Sequence, residues 1–60
     1  MTIYRVFFID SSAKVVGFEV VEAESDEEAV EIARGMDFGI KCEVWTRTAL
    51  VAKIKKLPPD

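Results

Sequence analysis

Four stretches of strand-type residues surround one stretch whose apolar residues recur with helical spacing. β-Branched and aromatic residues are frequent in the four stretches, which predicts β-strands over residues 2–9, 15–23, 40–46 and 49–55. Between the second and third stretches, apolar residues recur at intervals of three and four, as on one face of a helix: Ala29, Ile32, Ala33 and Met36. The hydrophobic pattern therefore predicts the order ββαββ.

Polar residues indicate where the helix begins and how the first two strands are joined. Ser25 and Glu28 have the spacing of a capping box, in which the Ser25 hydroxyl accepts from the Glu28 amide and the Glu28 carboxylate reaches back. We expect the helix to run from about 26 to 36, with Gly39 near its C-terminal cap. Residues 10–14 form the predicted turn, because aspartate and serine side chains can bond nearby backbone amides.

The predicted fold class is α+β, a four-stranded and mainly antiparallel sheet with one helix packed on one face. Alternation assigns a nearly all-apolar set to the helix-covered face: Tyr4, Val6, Phe8, Val16, Phe18, Val20, Ile40, Cys42, Val44, Leu50, Ala52 and Ile54. A right-handed helical crossover between two hairpins favours the strand order 2-1-3-4, which places the strongly apolar first strand inside the sheet. The order 1-2-3-4 is the alternative.

The opposite face of the predicted sheet combines large apolar side chains with charges of both signs. Phe7 and Trp45 can each bury about 150–250 Å², and a semi-polar composition of this kind is typical of a surface that contacts a partner. We expect an interface formed by Arg5, Phe7, Glu19, Val21, Lys41, Glu43, Trp45 and Val51. Within it, we expect Arg5 to pair with Glu19 or Glu43 across the strands.

The small size of the chain bears on its oligomeric state. Sixty residues suffice for one domain, which we place at 1–56, with a disordered tail at 57–60. A domain of this length buries about 60% of the surface that its unfolded chain exposes, so small domains commonly add disulfides, metal ions or oligomerisation. One cysteine and no histidine exclude an internal disulfide and argue against a zinc site. We therefore expect a homodimer.

The charges are unevenly distributed along the chain. The net charge is −3, with three basic and nine acidic residues in 1–38 and five basic and two acidic residues in 39–60. The acidic balance argues against nucleic-acid binding, and the uneven distribution is typical of two solvated faces or of surfaces complementary to a second copy or a partner. Without a basic leader or an apolar run of membrane-spanning length, we expect a cytoplasmic protein that does not bind membranes.

Residues that could carry chemistry are few. Without histidine, the usual general base near neutral pH is missing, and the sequence contains no glycine-rich phosphate loop or metal-ligand cluster. Cys42 falls at a core position on the third strand, where a small apolar role is more typical than a nucleophilic one. We therefore expect no catalytic residue, no cofactor and no metal ion.

Three segments of the sequence occur in a recognisable order. They are the Tyr-Arg-Val-Phe-Phe-Ile-Asp start, the alanine-containing helix at 26–34, and the late Glu43-Val44-Trp45 that precedes Leu50-Val51-Ala52. Over nearly its whole length the chain resembles a group of short uncharacterised alphaproteobacterial proteins, which implies a bacterial cytosolic protein and no particular activity. The N-terminal hairpin and the Glu-Glu-Ala helix start also resemble those of HicB-type antitoxins, although no DNA-binding segment is evident after the domain.

Together these features favour a non-catalytic interaction module that associates with itself through the uncovered sheet face. Edge-to-edge pairing of strands is a second geometry for the same dimer. The alternative function is binding of a small ligand or single-stranded nucleic acid on the same face, where Phe7 and Trp45 would stack on it. An enzyme that uses Cys42 ranks last.

Overall fold

The computed structural model describes residues 1–36 and 38–55 of the chain. Within these residues, four strands and one helix follow in the order β1 (Thr2–Ile9), β2 (Val15–Ala23), α1 (Asp26–Arg34), β3 (Lys41–Trp45) and β4 (Leu50–Lys55). The strands form an antiparallel sheet in the order β2-β1-β3-β4. The α+β class and the strand order 2-1-3-4 are confirmed, whereas the tail predicted at 57–60 lies outside the described residues.

Strand β1 lies between β2 and β3, in the interior of the sheet, and it carries apolar residues on both faces. It pairs with β2 along all eight of its residues and with β3 from Arg5 to Ile9. Tyr4 and Val6 point to the side of α1 and are buried. β-Branched and aromatic side chains fit a pleated strand that has neighbours on both sides, which explains the interior position.

Helix α1 begins at the predicted cap but ends earlier than predicted. The Ser25 hydroxyl accepts from the Glu28 amide at 3.2 Å, and the first turn is acidic, as suits the positive end of the helix dipole. The helix ends at Arg34, and the Gly35 amide donates to carbonyl oxygens of the last turn. The predicted end at 36 and the cap at Gly39 are therefore wrong. Gly39, with φ 76°, lies in the connection to β3.

The core lies between α1 and the sheet. Ala29 and Ala33 face the strands and are fully buried, and their small side chains let the helix approach the sheet closely. The remaining buried members of the core are Tyr4, Val6, Val21, Ala23, Phe38, Cys42, Val44 and Ile54. Phe38 was absent from the predicted core. It lies in the connection between α1 and β3, where hydrophobic periodicity gives no signal.

The predicted orientation of β2 is wrong by one residue. Antiparallel partners share a face, and Val21 lies opposite Tyr4 while Val20 lies opposite Arg5. Val21 and Ala23 therefore belong to the core, and Phe18 and Val20 point away from the helix. The chain leaves β2 at Ala23 and enters α1 at Asp26, so the last residues of β2 lie beneath the first turn. A one-residue change of phase moves every side chain of a strand to the other face.

A β-bulge changes the orientation of residues in β4. Val44 lies opposite Ala52 and Trp45 lies opposite Leu50, so that Val51 is an extra residue in the ladder. Leu50 consequently shares a face with Trp45, and Val51 packs against the core. The prediction placed these two β4 residues on the reverse faces. Ile40, predicted as a core residue, precedes β3 and is exposed.

The turn between β1 and β2 has the local hydrogen bonds that its sequence predicts. The Asp10 carboxylate accepts from the amides of Ser12 and Lys14 at 2.8 and 3.0 Å. Ala13 adopts a left-handed conformation with φ 63°, which favours glycine or asparagine. The aspartate side chain thus holds a tight turn that contains one strained residue.

Candidate interaction surface

The sheet face opposite α1, called the open face below, has no element of the described residues lying over it. Cross-strand pairing places its side chains in rows that run from β2 to β4. Three complete rows cross the sheet: Val20–Arg5–Trp45–Leu50, Phe18–Phe7–Glu43–Lys53 and Val15–Ile9–Lys41–Lys55. The β2 and β1 positions of these rows are mainly apolar, and the β3 and β4 positions are mainly charged.

The apolar half of the open face forms a band, called the apolar band below, made of Ile3, Phe7, Val15, Phe18 and Val20, with the exposed Val16 as the extra residue of a β-bulge beside Val15. Ile3, Phe18 and Val20 are 58%, 57% and 56% exposed. The Phe7 and Phe18 rings lie side by side, with centroids 5.9 Å apart and planes inclined by 41°. A tilted aromatic pair of this separation is favourable, and it fixes both rings on the surface. The band is therefore an ordered apolar surface on the edge of the molecule.

The charged half of the open face contains one defined hydrogen bond. The Trp45 indole Nε1 donates to Glu43 Oε1 at 3.0 Å. Both residues lie on β3 two positions apart, so their side chains are on the same face. This bond satisfies the indole N–H and leaves the ring plane available for apolar contact. Lys53 lies directly opposite Glu43, which places charges of both signs beside the indole.

Arg5 lies between two apolar neighbours. Its cross-strand partners are Val20 on β2 and Trp45 on β3. The expected pair with Glu19 is wrong, because Glu19 lies opposite Val6 and so on the helix side of the sheet. Glu43 shares the open face with Arg5 but lies opposite Phe7. Arg5 is thus an exposed residue with an apolar neighbour on either side in its own row.

The structure separates the predicted interface residues into two groups. Five of them lie on the open face: Arg5, Phe7, Lys41, Glu43 and Trp45. The other three lie on the helix side, because of the phase of β2 and the bulge in β4: Glu19, Val21 and Val51. Sequence reasoning missed Phe18, Val20 and Leu50 as open-face residues. The two-residue link between Ala23 and α1 could have indicated the orientation of β2. So short a link keeps the end of β2 beneath the helix, so that Ala23 and Val21 face it.

Two ionisable groups on the helix side, Tyr4 and Cys42, are part of the core packing. The Tyr4 hydroxyl donates to Asp26 Oδ1 at 2.7 Å, and this bond, followed by burial, raises the pKa of Tyr4 above its usual value. Cys42 is a free thiol that is 1% exposed, and burial raises its pKa as well. A raised pKa lowers the thiolate fraction at neutral pH, so burial makes Cys42 a poor nucleophile. Among the described residues, no three metal-ligating side chains are grouped.

The uneven charge of the sequence corresponds to two sides of the molecule. The exposed acidic residues of α1 are Asp26, Glu27, Glu28 and Glu31, and they lie on the helix layer. Lys41, Lys53 and Lys55 lie on the open face at its β3–β4 side. The acidic and basic surfaces thus lie on opposite sides of the sheet.

A shallow groove lies at one end of the open face. It has a volume of about 640 Å³ and is lined by the start of β1 and the β3–β4 loop, including Arg5 and Arg47. The Thr46 hydroxyl on its wall is engaged within the loop, where it accepts from the Ala49 amide at 3.0 Å and donates to the Ala49 carbonyl at 3.2 Å. The groove is therefore lined by two arginines and by a threonine whose hydroxyl is hydrogen-bonded within the loop.

Comparison of the chain with protein-family models, with curated protein sequences and with solved structures finds no match in any of the three. The resemblance to short alphaproteobacterial proteins therefore stays a prediction. In the part of the chain that the structure describes, no helix is long and apolar enough to cross a membrane.

Proposed function

We propose that this chain is a non-catalytic interaction module that forms a homodimer through its open face. The observation that carries the proposal is the exposure of the apolar band, in which Ile3, Phe18 and Val20 each leave more than half of their surface in contact with water. Soluble monomers rarely expose contiguous apolar patches larger than a few hundred Å². Covering the band removes this unfavourable hydration, and the core of a 60-residue domain leaves little stability to spare.

The size of the open face suits a protein interface. Four strands at about 4.8 Å spacing and about six residues in length give a surface of roughly 20 by 20 Å. Side-chain relief raises the accessible area above this projected area, toward the roughly 800 Å² per partner that a standard interface buries. The occupant that requires no further molecule is a second copy, and a two-fold axis lets the same face serve both subunits.

The composition of the open face also favours a second copy. Glu43 and Lys53 supply both signs within one row, so that two copies related by a two-fold axis can pair unlike charges around an apolar centre. Trp45 and Phe7 lie between the charged and apolar halves, and aromatic side chains are enriched at the centres of interfaces. Trp45 and the apolar band, which includes Phe7, would thus form the centre of the contact. Arg5, Lys41 and Glu43 would lie around it.

The test compares two substitutions that add the same charge on opposite sides of the molecule. Val20→Lys places an ammonium group in the apolar band, whereas Ile32→Lys places one on the exposed side of α1, where Ile32 is also partly exposed. Sedimentation equilibrium should show a dimer for the natural chain and a dissociation constant raised about ten- to a hundredfold by Val20→Lys. Ile32→Lys should leave it within about twofold. A monomer at several hundred micromolar, or equal effects of the two substitutions, contradicts the proposal.

The second candidate function is binding of an anionic ligand or single-stranded nucleic acid on the open face. The groove beside Arg5 and Arg47 favours it, because two guanidinium groups line a surface that continues to Trp45. Stacking on Trp45 would quench its fluorescence, and phosphate contacts would make the quench decrease with salt. Titration with short oligonucleotides separates the two functions, since a dimer interface predicts no salt-dependent quench.

The environment of Cys42 supports a cytoplasmic location and a structural role for the thiol. The chain has a single cysteine, free and buried in the core. Unpaired thiols of this kind persist in reducing compartments, as in the cytoplasm. Burial also separates the sulfur from any substrate in solvent, which supports the non-catalytic assignment.

A further inference from the structure

The start of β1 extends beyond its neighbour β3, which leaves a groove at one end of the open face. β1 pairs with β2 from Thr2 onward, but its pairing with β3 begins only at Arg5. β3 ends at Trp45, and the chain turns there toward β4. The groove of about 640 Å³ lies between the first residues of β1 and the β3–β4 loop. Its volume is within the range of about 300–1,000 Å³ that is usual for small-molecule sites.

The side chains that line the groove suit an anion. Arg5 comes from β1 and Arg47 from the loop, both exposed, and Thr2 and Thr48 add hydroxyl groups. None of the described residues that line the groove is acidic, although the chain as a whole has a net charge of −3. An arginine guanidinium can bind a carboxylate or a phosphate through two parallel hydrogen bonds. The lining therefore favours an oxyanion over a cation.

The edge of β1 that faces the groove adds backbone donors. In an antiparallel sheet, the N–H and C=O groups of successive residues of a strand point alternately to its two sides. Among Thr2, Ile3 and Tyr4, at least one residue therefore directs its N–H and C=O away from β2, to the side where β3 is absent. A backbone amide in this position can donate to an anion beside the two arginines.

Three hydrogen bonds hold the loop that carries Arg47 and Thr48. The Thr46 amide donates to the Ala49 carbonyl at 2.8 Å, and the Thr46 hydroxyl bonds the amide and the carbonyl of Ala49 at 3.0 and 3.2 Å. Arg47 and Thr48 lie between these two residues, and both are exposed. Because the loop is already closed, binding costs less conformational entropy than it would in an open loop.

We propose that this groove binds the oxyanion group, carboxylate or phosphate, of a small organic molecule. Arg5 and Arg47 hold the charged group from the two walls of the groove, and Thr48 and the edge of β1 donate to its remaining oxygen lone pairs. Ile3, which is 58% exposed and lines the same groove, contacts the apolar part of the ligand. The site goes beyond the proposed self-association, and it gives the second candidate function a defined place and a class of ligand.

Phenyl phosphate is a suitable probe, because it joins a phosphate group to a small apolar ring. Titration followed by two-dimensional ¹H–¹⁵N NMR at constant ionic strength should show saturable shifts of the amides at 2–5 and 46–48, with a dissociation constant on the order of 1 mM. Benzyl alcohol, which is neutral and similar in shape, should bind at least about tenfold more weakly. Shifts centred on Lys41, Lys53 and Lys55, or no saturable shift, overturn the site.

Sodium benzoate distinguishes the two kinds of oxyanion. It presents a carboxylate on the same ring, so tighter binding of benzoate assigns the groove to carboxylates and tighter binding of phenyl phosphate assigns it to phosphates. Either result supports the oxyanion site. Binding of both no tighter than that of benzyl alcohol contradicts it, because the arginines would then contribute nothing.

The arginines are tested by variants of equal charge change. Arg47→Ala should raise the dissociation constant of phenyl phosphate at least about tenfold, and Arg47→Lys should raise it less, because lysine keeps the charge but loses the two parallel hydrogen bonds. Arg34→Ala removes a guanidinium from the last turn of α1 and should leave the constant within about twofold. Equal effects of Arg47→Ala and Arg34→Ala would show only general charge attraction and overturn the proposal.

Failure of this site and failure of the dimer are distinguishable. Arg47 lies outside the residues assigned to the dimer contact, so Arg47→Ala should leave the dimer dissociation constant from sedimentation equilibrium within about twofold. A monomer that binds phenyl phosphate in the groove retains this site and ends the open-face proposal. A dimer that does not bind it retains the open-face proposal and ends this one.

Discussion

The two faces of the sheet have similar apolar side chains but opposite environments. Val6 and Val44 on the helix side are fully buried, whereas Val20 and Phe18 on the open face are more than half exposed. The same strands supply both faces, and a nine-residue helix covers one of them. The difference between these residues therefore follows from the helix that lies over one face, and Val20 and Phe18 on the uncovered face are available for a partner.

The largest expected difference between the faces is in the free energy of unfolding that is lost when valine is shortened to alanine. Val6→Ala should lower the free energy of unfolding by about 2 kcal/mol, because it leaves a cavity beneath α1. Val20→Ala should cost less than about 1 kcal/mol, since Val20 is 56% exposed in the monomer. Urea unfolding at concentrations below the dimer dissociation constant measures both. Equal losses would show that the open face is packed within one chain.

Tyr4→Phe tests the hydrogen bond that joins β1 to the start of α1. Loss of the bond to Asp26 should lower the urea midpoint, by less than Val6→Ala does. The bond to Asp26 and burial raise the pKa of Tyr4 in the folded state above its usual 10.0, so folding favours the protonated phenol. This stabilisation is fully present below pH 10 and is lost as the pH rises through the folded-state pKa.

The comparison of the natural chain with Tyr4→Phe therefore has a defined pH dependence. Their difference in unfolding free energy should be constant from pH 7 to about pH 9 and should shrink above pH 10. Lysine titration affects both proteins alike and cancels in the difference. A difference that grows above pH 10 would contradict the assigned bond.

The smallest expected effect is at Ala13, which belongs to neither face. Ala13→Gly relieves a left-handed backbone with φ 63° and should raise the free energy of unfolding by about 0.5–1 kcal/mol. Because Ala13 lies in the β1–β2 turn and outside the apolar band, the dimer dissociation constant should change by less than about twofold. Ser12→Gly is the control, since Ser12 does not have positive φ, and it should be neutral or destabilising. If Ser12→Gly gives an equal increase in stability, relief of backbone strain at Ala13 is not the cause.

Much of the fold could be predicted because local and periodic signals agree. Strand β1 is apolar on both faces and lies inside the sheet, and Ser25 with Glu28 marks the beginning of α1. The strand order follows from one crossover between two hairpins. The strand pattern and the helix cap depend on residues close together in sequence, so they can be predicted without the structure.

The orientation of two strands could not be predicted from alternation. Strand β2 has apolar residues at both sets of alternating positions, and alternation assigns the larger set, which includes Phe18 and Val20, to the core. The chain instead buries Val21 and Ala23, because the short link to α1 brings the end of β2 beneath the helix. The bulge that moves Val51 to the core is a property of strand pairing and has no local signature. Five of the eight residues predicted for the open face therefore lie there and three lie on the helix side, and the interface itself stays a prediction.

A dilution series followed by two-dimensional ¹H–¹⁵N NMR tests the central claim most directly. As the protein concentration falls through the dissociation constant, signals of open-face residues such as Phe7, Phe18 and the Trp45 indole should shift together. The positions of the signals of Ala29, Ala33 and the rest of α1 should not change by more than the measurement error. A spectrum that does not change with concentration, from a particle of monomer mass, would contradict the claim that a second copy covers the open face.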